Sequence, residues 1–262
     1  MSDTFSIAFI VPAAGRGQRL GAPINKVLMP VGNRPLLAHT LSALAAAAAE
    51  LAPVQTIIVI GAGDVTAVRE TVLPTVPGSE RLGPLIVVPG GSSRQASVLC
   101  GLEAAGDAEW VLVHDGARPL VTPALILETV AAAVDAGAAA AAAPLVDTIK
   151  RVDAAGFIQA TVPREGLWAV ETPQVFRRTE LIEAHRQAIH EGWLVTDDAA
   201  LMERLDRSVK VVPAYENNLK VTGPRDLDQI RRTLAPADSG DAVMRVGYAM
   251  MCMLFPISQS GG

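Results

Sequence analysis

The sequence predicts an α/β fold: a mostly parallel sheet with helices on both faces and a protruding β-hairpin arm. Three observations predict it. Short apolar runs without polar alternation, the mark of strands buried on both faces, recur along the chain. Helical patterns lie between them, so successive strands are joined by crossovers. One segment, Asp147 to Phe176, breaks the alternation with two half-polar runs around a glycine turn.

In chain order, Ile7–Val11 is the first strand and ends abruptly in glycines. The alanine-rich run Leu36–Ala52 follows. With His39, Thr40 and Ser42 inside it, it falls short of a membrane span and reads as a buried, closely packed helix. Thr56–Ile60 is a strand ended by Gly61-Ala62-Gly63, with Asp64 expected to cap a helix over Asp64–Leu73. Strand Leu85–Val88 runs into Gly90-Gly91, and Ser92 or Ser93 caps the helix Ser93–Ala105. Strand Trp110–His114, helix Pro123–Ala136 and strand Ala138–Ala143 come next. After the hairpin segment, helices are expected at Thr179–His190 and Asp197–Leu205 and a strand at Val209–Val212. Thr196-Asp197-Asp198 reads as an N-cap with acidic residues complementing the helix dipole.

Composition narrows the class. The chain has 262 residues, a net charge of −5 and a half-apolar composition, enough for one large domain with a core. An acidic balance speaks against a polymeric nucleic-acid partner. Two distant cysteines, Cys100 and Cys252, suggest neither a disulfide framework nor a zinc site, so a reducing cytoplasmic setting is expected. No secretory signal and no membrane span are read.

The chemistry concentrates where strands end. After Val11 the chain reads Pro12-Ala13-Ala14-Gly15-Arg16-Gly17-Gln18-Arg19-Leu20-Gly21, with Lys26 a few residues on. Bare backbone N–H groups and fixed cations suit an oxyanion, above all a phosphate chain. The loop is neither a P-loop, since no Gly-Lys pair exists, nor a dinucleotide fingerprint, since the third glycine comes one position late. Its charge suits a triphosphate. Gly90 to Ser97 offers N–H and O–H donors at a second strand end. His114-Asp115-Gly116-Ala117-Arg118 ends a third, where Asp115 is placed to hold Mg²⁺ beside substrate phosphates or, in the plainer alternative, to cap the turn and pair with Arg118. Lys220, just before the last helix, either reaches a phosphate or is an ordinary solvated lysine. His39, His185 and His190 lie in helical patterns and read as packing or surface residues.

Taken together, these motifs resemble the 2-C-methyl-D-erythritol 4-phosphate cytidylyltransferases, from about Ile7 to Leu234. The matching pieces are Pro-Ala-Ala-Gly-x-Gly-x-Arg ending at Arg19, Lys26, Gly-Gly-x-x-Arg-x-x-Ser ending at Ser97, and Val-Leu-Val-His-Asp-x-Ala-Arg-Pro ending at Pro119. Asp147-Thr148, Arg164-x-Gly-Leu-Trp168, Thr172-Pro173-Gln174, Thr196-Asp197-Asp198 and Asn218-Leu-Lys220-Val-Thr complete the set. The resemblance implies a Rossmann-like, glycosyltransferase-A-like nucleotidyltransferase fold and CMP transfer from CTP to methylerythritol phosphate with Mg²⁺, in the non-mevalonate isoprenoid pathway. It implies that Arg19, Lys26 and Lys220 stabilise the α-phosphate and that Ala13, Ala14, Gly15, Gly91 and Ser97 hold CTP. Asp115, with the metal, and Gly116, Arg118, Thr148, Arg164 and Thr172 would gather the acceptor. The hairpin arm would cross to a second subunit in a homodimer, so that Thr148 and Arg164 complete the neighbour's site. The alternatives are another sugar- or pentitol-phosphate cytidylyltransferase, or a catalytically silent relative. Arg16, Asn25 and Gly116 depart from the family pattern, and none removes a charge assigned to the chemistry.

Residues 1–234 are thus expected to form the transferase domain, with the arm at about 147–176, and 235–262 a linker and tail. Met244-Arg-Val-Gly-Tyr248 resembles the start of the cyclodiphosphate synthases, whose pattern continues Gly-Tyr-Asp-Val-His-Ala-Phe. Codons for that pattern, read one base out of register, can spell the observed Ala249-Met-Met-Cys-Met-Leu-Phe255. The expectation is the first half of a bifunctional fusion interrupted by a frameshift.

Overall fold

In the computed structural model, residues 5–15 and 24–235 are described. Arg16, Arg19 and the tail from position 236 on, with its resemblance to a synthase, lie outside the described residues. Strands β1 (Ile7–Pro12), β2 (Pro30–Val31) and β3 (Arg34–Pro35) lead into helix α1 (Leu36–Leu51). Next come β4 (Gln55–Ile60), α2 (Val65–Ala67), β5 (Leu85–Pro89), α3 (Arg94–Ala104), β6 (Trp110–Val113), α4 (Pro123–Ala136) and β7 (Ala138–Pro144). The hairpin strands β8 (Ile149–Val152) and β9 (Ile158–Val162) precede β10 (Trp168–Arg177), α5 (Arg178–Glu191), α6 (Ala199–Arg204), β11 (Lys210–Pro213) and α7 (Pro224–Leu234).

Seven strands form one sheet in the order β11-β7-β10-β6-β1-β4-β5. Every pairing is parallel except those of β10, which runs antiparallel to both β6 and β7. From β1 the chain moves to one side for β4 and β5, then returns to the other side of β1 for β6. A sheet that reverses its order this way opens a crevice at the carboxyl ends of its strands. Two covered faces follow from the side-chain alternation of β1: Ile7, Phe9 and Val11 pack with α1 and α4, while Ala8 and Ile10 face α3 and α5.

Alanine favours helices, yet β7 reads Ala138 to Ala143 in succession and lies buried between β10 and β11. Tertiary pairing overrides that propensity. Close packing is sharper at Gly101 of α3, where an added Cβ would lie 2.5 Å from Ile10 Cγ2 and 3.0 Å from Val59 Cγ2. Gly101→Val is therefore expected to push α3 off the sheet and cost about 1–3 kcal/mol of stability, read as a lowered urea midpoint. An unchanged midpoint would contradict this packing.

Two expectations need correction. Asp64 does not cap a helix; its carboxylate accepts from Asn25 Nδ2 at 3.2 Å. The expected helix is instead a 3₁₀ turn, the short α2, a π turn over Val68–Val72 and a second 3₁₀ turn. The β-branched residues of this stretch weaken regular helix, and Pro74 cannot continue it. Moreover, the chain from Trp168 does not belong to the hairpin alone: it becomes β10, exposed at first and buried from Thr172 to Phe176. A register shift between Val170 and Gln174 sets that boundary, as a bulge does when it re-aims side chains.

Candidate active site

Three strand ends converge on one cleft of about 830 Å³ at the reversal point. The turn Ala13–Gly15 supplies one wall, Gly91 to Arg94 with Ser97 another, and Asp115, Lys26 and Lys220 the charges. Eight residues singled out in the sequence, Ala13, Ala14, Gly15, Lys26, Gly91, Ser97, Asp115 and Lys220, thus line one space. Gly91 is required there by contact, since a Cβ would sit 2.5 Å from that of Ala96. Ser93 caps α3, accepting from Ala96 N at 3.0 Å, and Ser97 Oγ turns back to donate to the Ser93 carbonyl.

Asn25 explains how the first wall is held. Its Nδ2 donates to the Ala13 carbonyl at 3.0 Å and its Oδ1 accepts from Val27 N, which joins the Lys26 turn to the end of β1. Lys26 Nζ donates to the Val221 carbonyl at 2.8 Å, beside Lys220. Val221 N in turn donates to the Ala117 carbonyl, so the Lys220 segment is fastened to the loop after β6. Asp226 secures the far end of that segment, accepting from Thr222 N and Oγ1 and from Gly223 N.

Asp115 sits among cations. Lys220 Nζ lies 2.7 Å and Arg118 Nε 3.7 Å from Oδ2, and Arg94 Nε donates to Oδ1 at 3.1 Å. Burial alone would raise its pKa, but Arg94, Lys220 and Arg118 hold it well below the usual carboxylate range. Burial also lowers the basicity of Arg118 despite Asp115 and Glu171, although a guanidinium remains protonated. Glu171 is shifted upward, its burial outweighing Arg118 and the Asn218 amide.

Several residues that the resemblance links to the acceptor lie elsewhere. Thr172 is buried beneath Asp115; its hydroxyl accepts from Asp115 N at 3.1 Å and meets His114 Nδ1 at 3.2 Å. Gly116 is packed under the cleft, where a Cβ would stand 3.0 Å from that of Ala13 and 3.1 Å from Leu37 Cδ1, a tight fit for any larger residue. Arg118 is buried with Asp115, Glu171 and the Asn218 carbonyl as partners. Thr148 and Arg164 are exposed on and beside the hairpin, Arg164 donating to the Val146 carbonyl, and neither lines the cleft of its own chain.

Sequence reasoning missed Arg94 as a site residue, and it misread Asp198. Asp198 does not cap α6; its carboxylate bonds Arg94 and His185, while Gln174 Oε1 receives Ala199 N and Asp197 Oδ1 receives Ala200 N. The Gly-Gly-x-x-Arg motif held the only sequence signal for Arg94.

A glycine-walled cleft with converging lysines at the switch point of a mostly parallel sheet defines a nucleotidyltransferase-type α/β enzyme. The family description IspD, 2-C-methyl-D-erythritol 4-phosphate cytidylyltransferase, matches residues 7–235, and the chain belongs to that family. A relative of that name from Desulforamulus reducens is 42% identical over 225 residues, covering 85% of this chain and 93% of its own. One from Synechococcus sp. (strain WH7803) is 46% identical over 227 residues, covering 86% and 98%. The crystal structure of 4-diphosphocytidyl-2C-methyl-D-erythritol synthase from Anaerococcus prevotii superposes with a TM-score of 0.75 at 29% identity, covering 88% of this chain and 97% of that one.

Proposed function

We propose that the cleft transfers CMP from CTP to 2-C-methyl-D-erythritol 4-phosphate, releasing pyrophosphate and 4-diphosphocytidyl-2-C-methyl-D-erythritol. The observation that carries this reading is the pairing of two lysines from distant segments, Lys26 and Lys220, over a wall of small residues. An acceptor phosphate oxygen attacks the α-phosphorus, the bond to the bridging α–β oxygen breaks, and pyrophosphate leaves with the electron pair. The attacking oxygen is already anionic, so no general base is needed. Positioning and charge stabilisation carry the step. Ala13, Ala14, Gly15, Gly91 and Ser97 cradle CTP; Arg19, Lys26 and Lys220 meet the charge on the α-phosphate.

The donor set fits Mg²⁺ in one way. Asp115 is the carboxylate that lines the cleft, and no group of three or more His, Cys, Asp or Glu placed to hold a metal is found among the described residues. Mg²⁺ commonly takes one or two carboxylates and fills its octahedron with phosphates and water. Asp115 would hold it from the protein side, and the ion would neutralise phosphate charge.

Acceptor binding is assigned to Asp115 in the cleft, with Gly116, Arg118 and Thr172 packed behind it as its support, and to Thr148 and Arg164 supplied across a homodimer by the hairpin arm. Exposed Val146, Val152, Phe157 and Ile158 on and beside that arm support burial against a second copy. No helix among the described residues is long and apolar enough to cross a membrane, and a cytoplasmic setting is part of the proposal.

Pyrophosphate release with CTP, Mg²⁺ and methylerythritol phosphate, against ribitol phosphate as control acceptor, tests the reading. Release with methylerythritol phosphate alone is expected. Release only with the pentitol phosphate would move the assignment to the pentitol branch, and release with neither, despite CTP binding, would mark a silent relative.

A further inference from the structure

From Arg94 in the wall of the cleft, a row of charges runs back to the buried Asp198 and His185, and the CMP-transfer step leaves it unused. Arg94, the first residue of α3, spans two carboxylates, Nε to Asp115 Oδ1 at 3.1 Å and Nη1 to Asp198 Oδ2 at 2.9 Å. The other oxygen of Asp198 meets His185 Nε2 at 3.2 Å, and both of those side chains are 1% exposed. Four separate pieces of chain are joined: α5, the entry to α6, the head of α3 and the end of β6.

A helix-capping role does not account for Asp198, because Gln174 and Asp197 already receive the first amides of α6. Stability alone accounts for it poorly, since a buried ion pair rarely outperforms apolar packing of the same volume. What the row does achieve is orientation. With Oδ1 of Asp115 fixed by Arg94, Oδ2 is the oxygen left toward Lys220, whose ammonium waits 2.7 Å away.

We propose that Arg94 is a positioning residue, held from behind by Asp198 and His185, that fixes the Asp115 carboxylate and through it the resting place of Lys220. This inference rests on the reading above that Asp115 and Lys220 act on the bound substrates. Arg94 has no freedom to serve as a loose phosphate clamp: its Nε and Nη1 are both committed to carboxylates, and its Nη2 is shut away from solvent with no hydrogen-bond partner among the described residues.

A double-mutant cycle on single-turnover pyrophosphate formation tests it. Asp198→Asn is expected to lower kcat about 10-fold to 100-fold, the usual range for residues that orient a ligand-bearing group, with KM for CTP changed by less than about threefold. In Asp115→Asn background the same substitution should cost nothing further, because its target is gone. His185→Asn, too short to reach Asp198, should reproduce a smaller loss, and His185→Gln, whose amide nitrogen replaces Nε2, should restore turnover. The His185 pair carries the test where Asp198→Asn folds poorly, as seen in its thermal melt. Multiplicative losses in the Asp198/Asp115 cycle, or equal defects in His185→Asn and His185→Gln, would overturn the positioning role while leaving Asp115 essential. Wild-type turnover in Asp115→Asn alone would instead overturn the reading of the site, and the positioning role with it.

Discussion

Lys26→Met and Lys220→Met are each expected to lower single-turnover CMP transfer by about 10²–10³-fold, the loss typical of removing one preorganised donor to a developing oxyanion. Both ammonium groups are already in place. Lys26 is tethered to the Val221 carbonyl at 2.8 Å and Lys220 to Asp115 at 2.7 Å, so little reorganisation is spent when the α-phosphate gains its fifth oxygen. CTP affinity should change far less, because the cradle of small residues remains intact. Stopped-flow pyrophosphate release and CTP titration calorimetry separate the two effects. A variant that keeps a third of wild-type turnover would remove its lysine from the chemistry. Lys26→Arg is not expected to rescue fully, since a planar fork cannot reproduce a point charge packed against the Val221 carbonyl.

The strands that build the cleft were legible because parallel sheets covered on both faces demand uninterrupted apolar runs, as in Ile7–Val11 and Trp110–Val113. The cleft itself was legible because glycines and cations fell at the ends of those runs. What escaped was whatever depends on distant partners. Arg94 stands inside the Gly-Gly-x-x-Arg motif, but its role exists only through Asp115 and Asp198, 21 and 104 residues away. Asp198 looked like a cap because acids at a helix start usually are, and nothing local signals a buried arginine opposite. β10 was obscured by its own composition: Thr172 and Gln174 are polar, yet they are buried because each has a specific partner, His114 with Asp115 N for one and Asp197 with Ala199 N for the other. Periodicity reports which side chains avoid water. It does not report which polar ones have found an alternative to it.

His114 is expected to make the fold acid-labile in a window that most of the carboxylates do not explain. It is completely buried, with Nε2 donating to the Arg118 carbonyl at 3.1 Å and Nδ1 at 3.2 Å from the Thr172 hydroxyl, which itself receives Asp115 N, contacts that a neutral ring satisfies in full. Burial drives its pKa from 6.5 down to about 4, with Arg118 and Lys220 adding to the shift and Asp115 and the carbonyl bond opposing it. Below 6.5 the unfolded chain therefore binds a proton that the native state refuses, and stability falls as pH drops through the window toward 4. At about 1.4 kcal/mol per unit, the loss attributable to this one ring is on the order of 3 kcal/mol. Asp115 and Asp198, both depressed, add stability that is lost only as pH falls through their own lowered values, beneath most of this window. Glu171, raised by burial, works in the opposite direction, gaining stability as it protonates. Urea unfolding at a series of pH values should show the slope in the wild type and its flattening in His114→Gln, whose overall midpoint is lower because the Thr172 hydroxyl loses its acceptor. Parallel slopes in the two proteins would assign the acid sensitivity to the carboxylates instead.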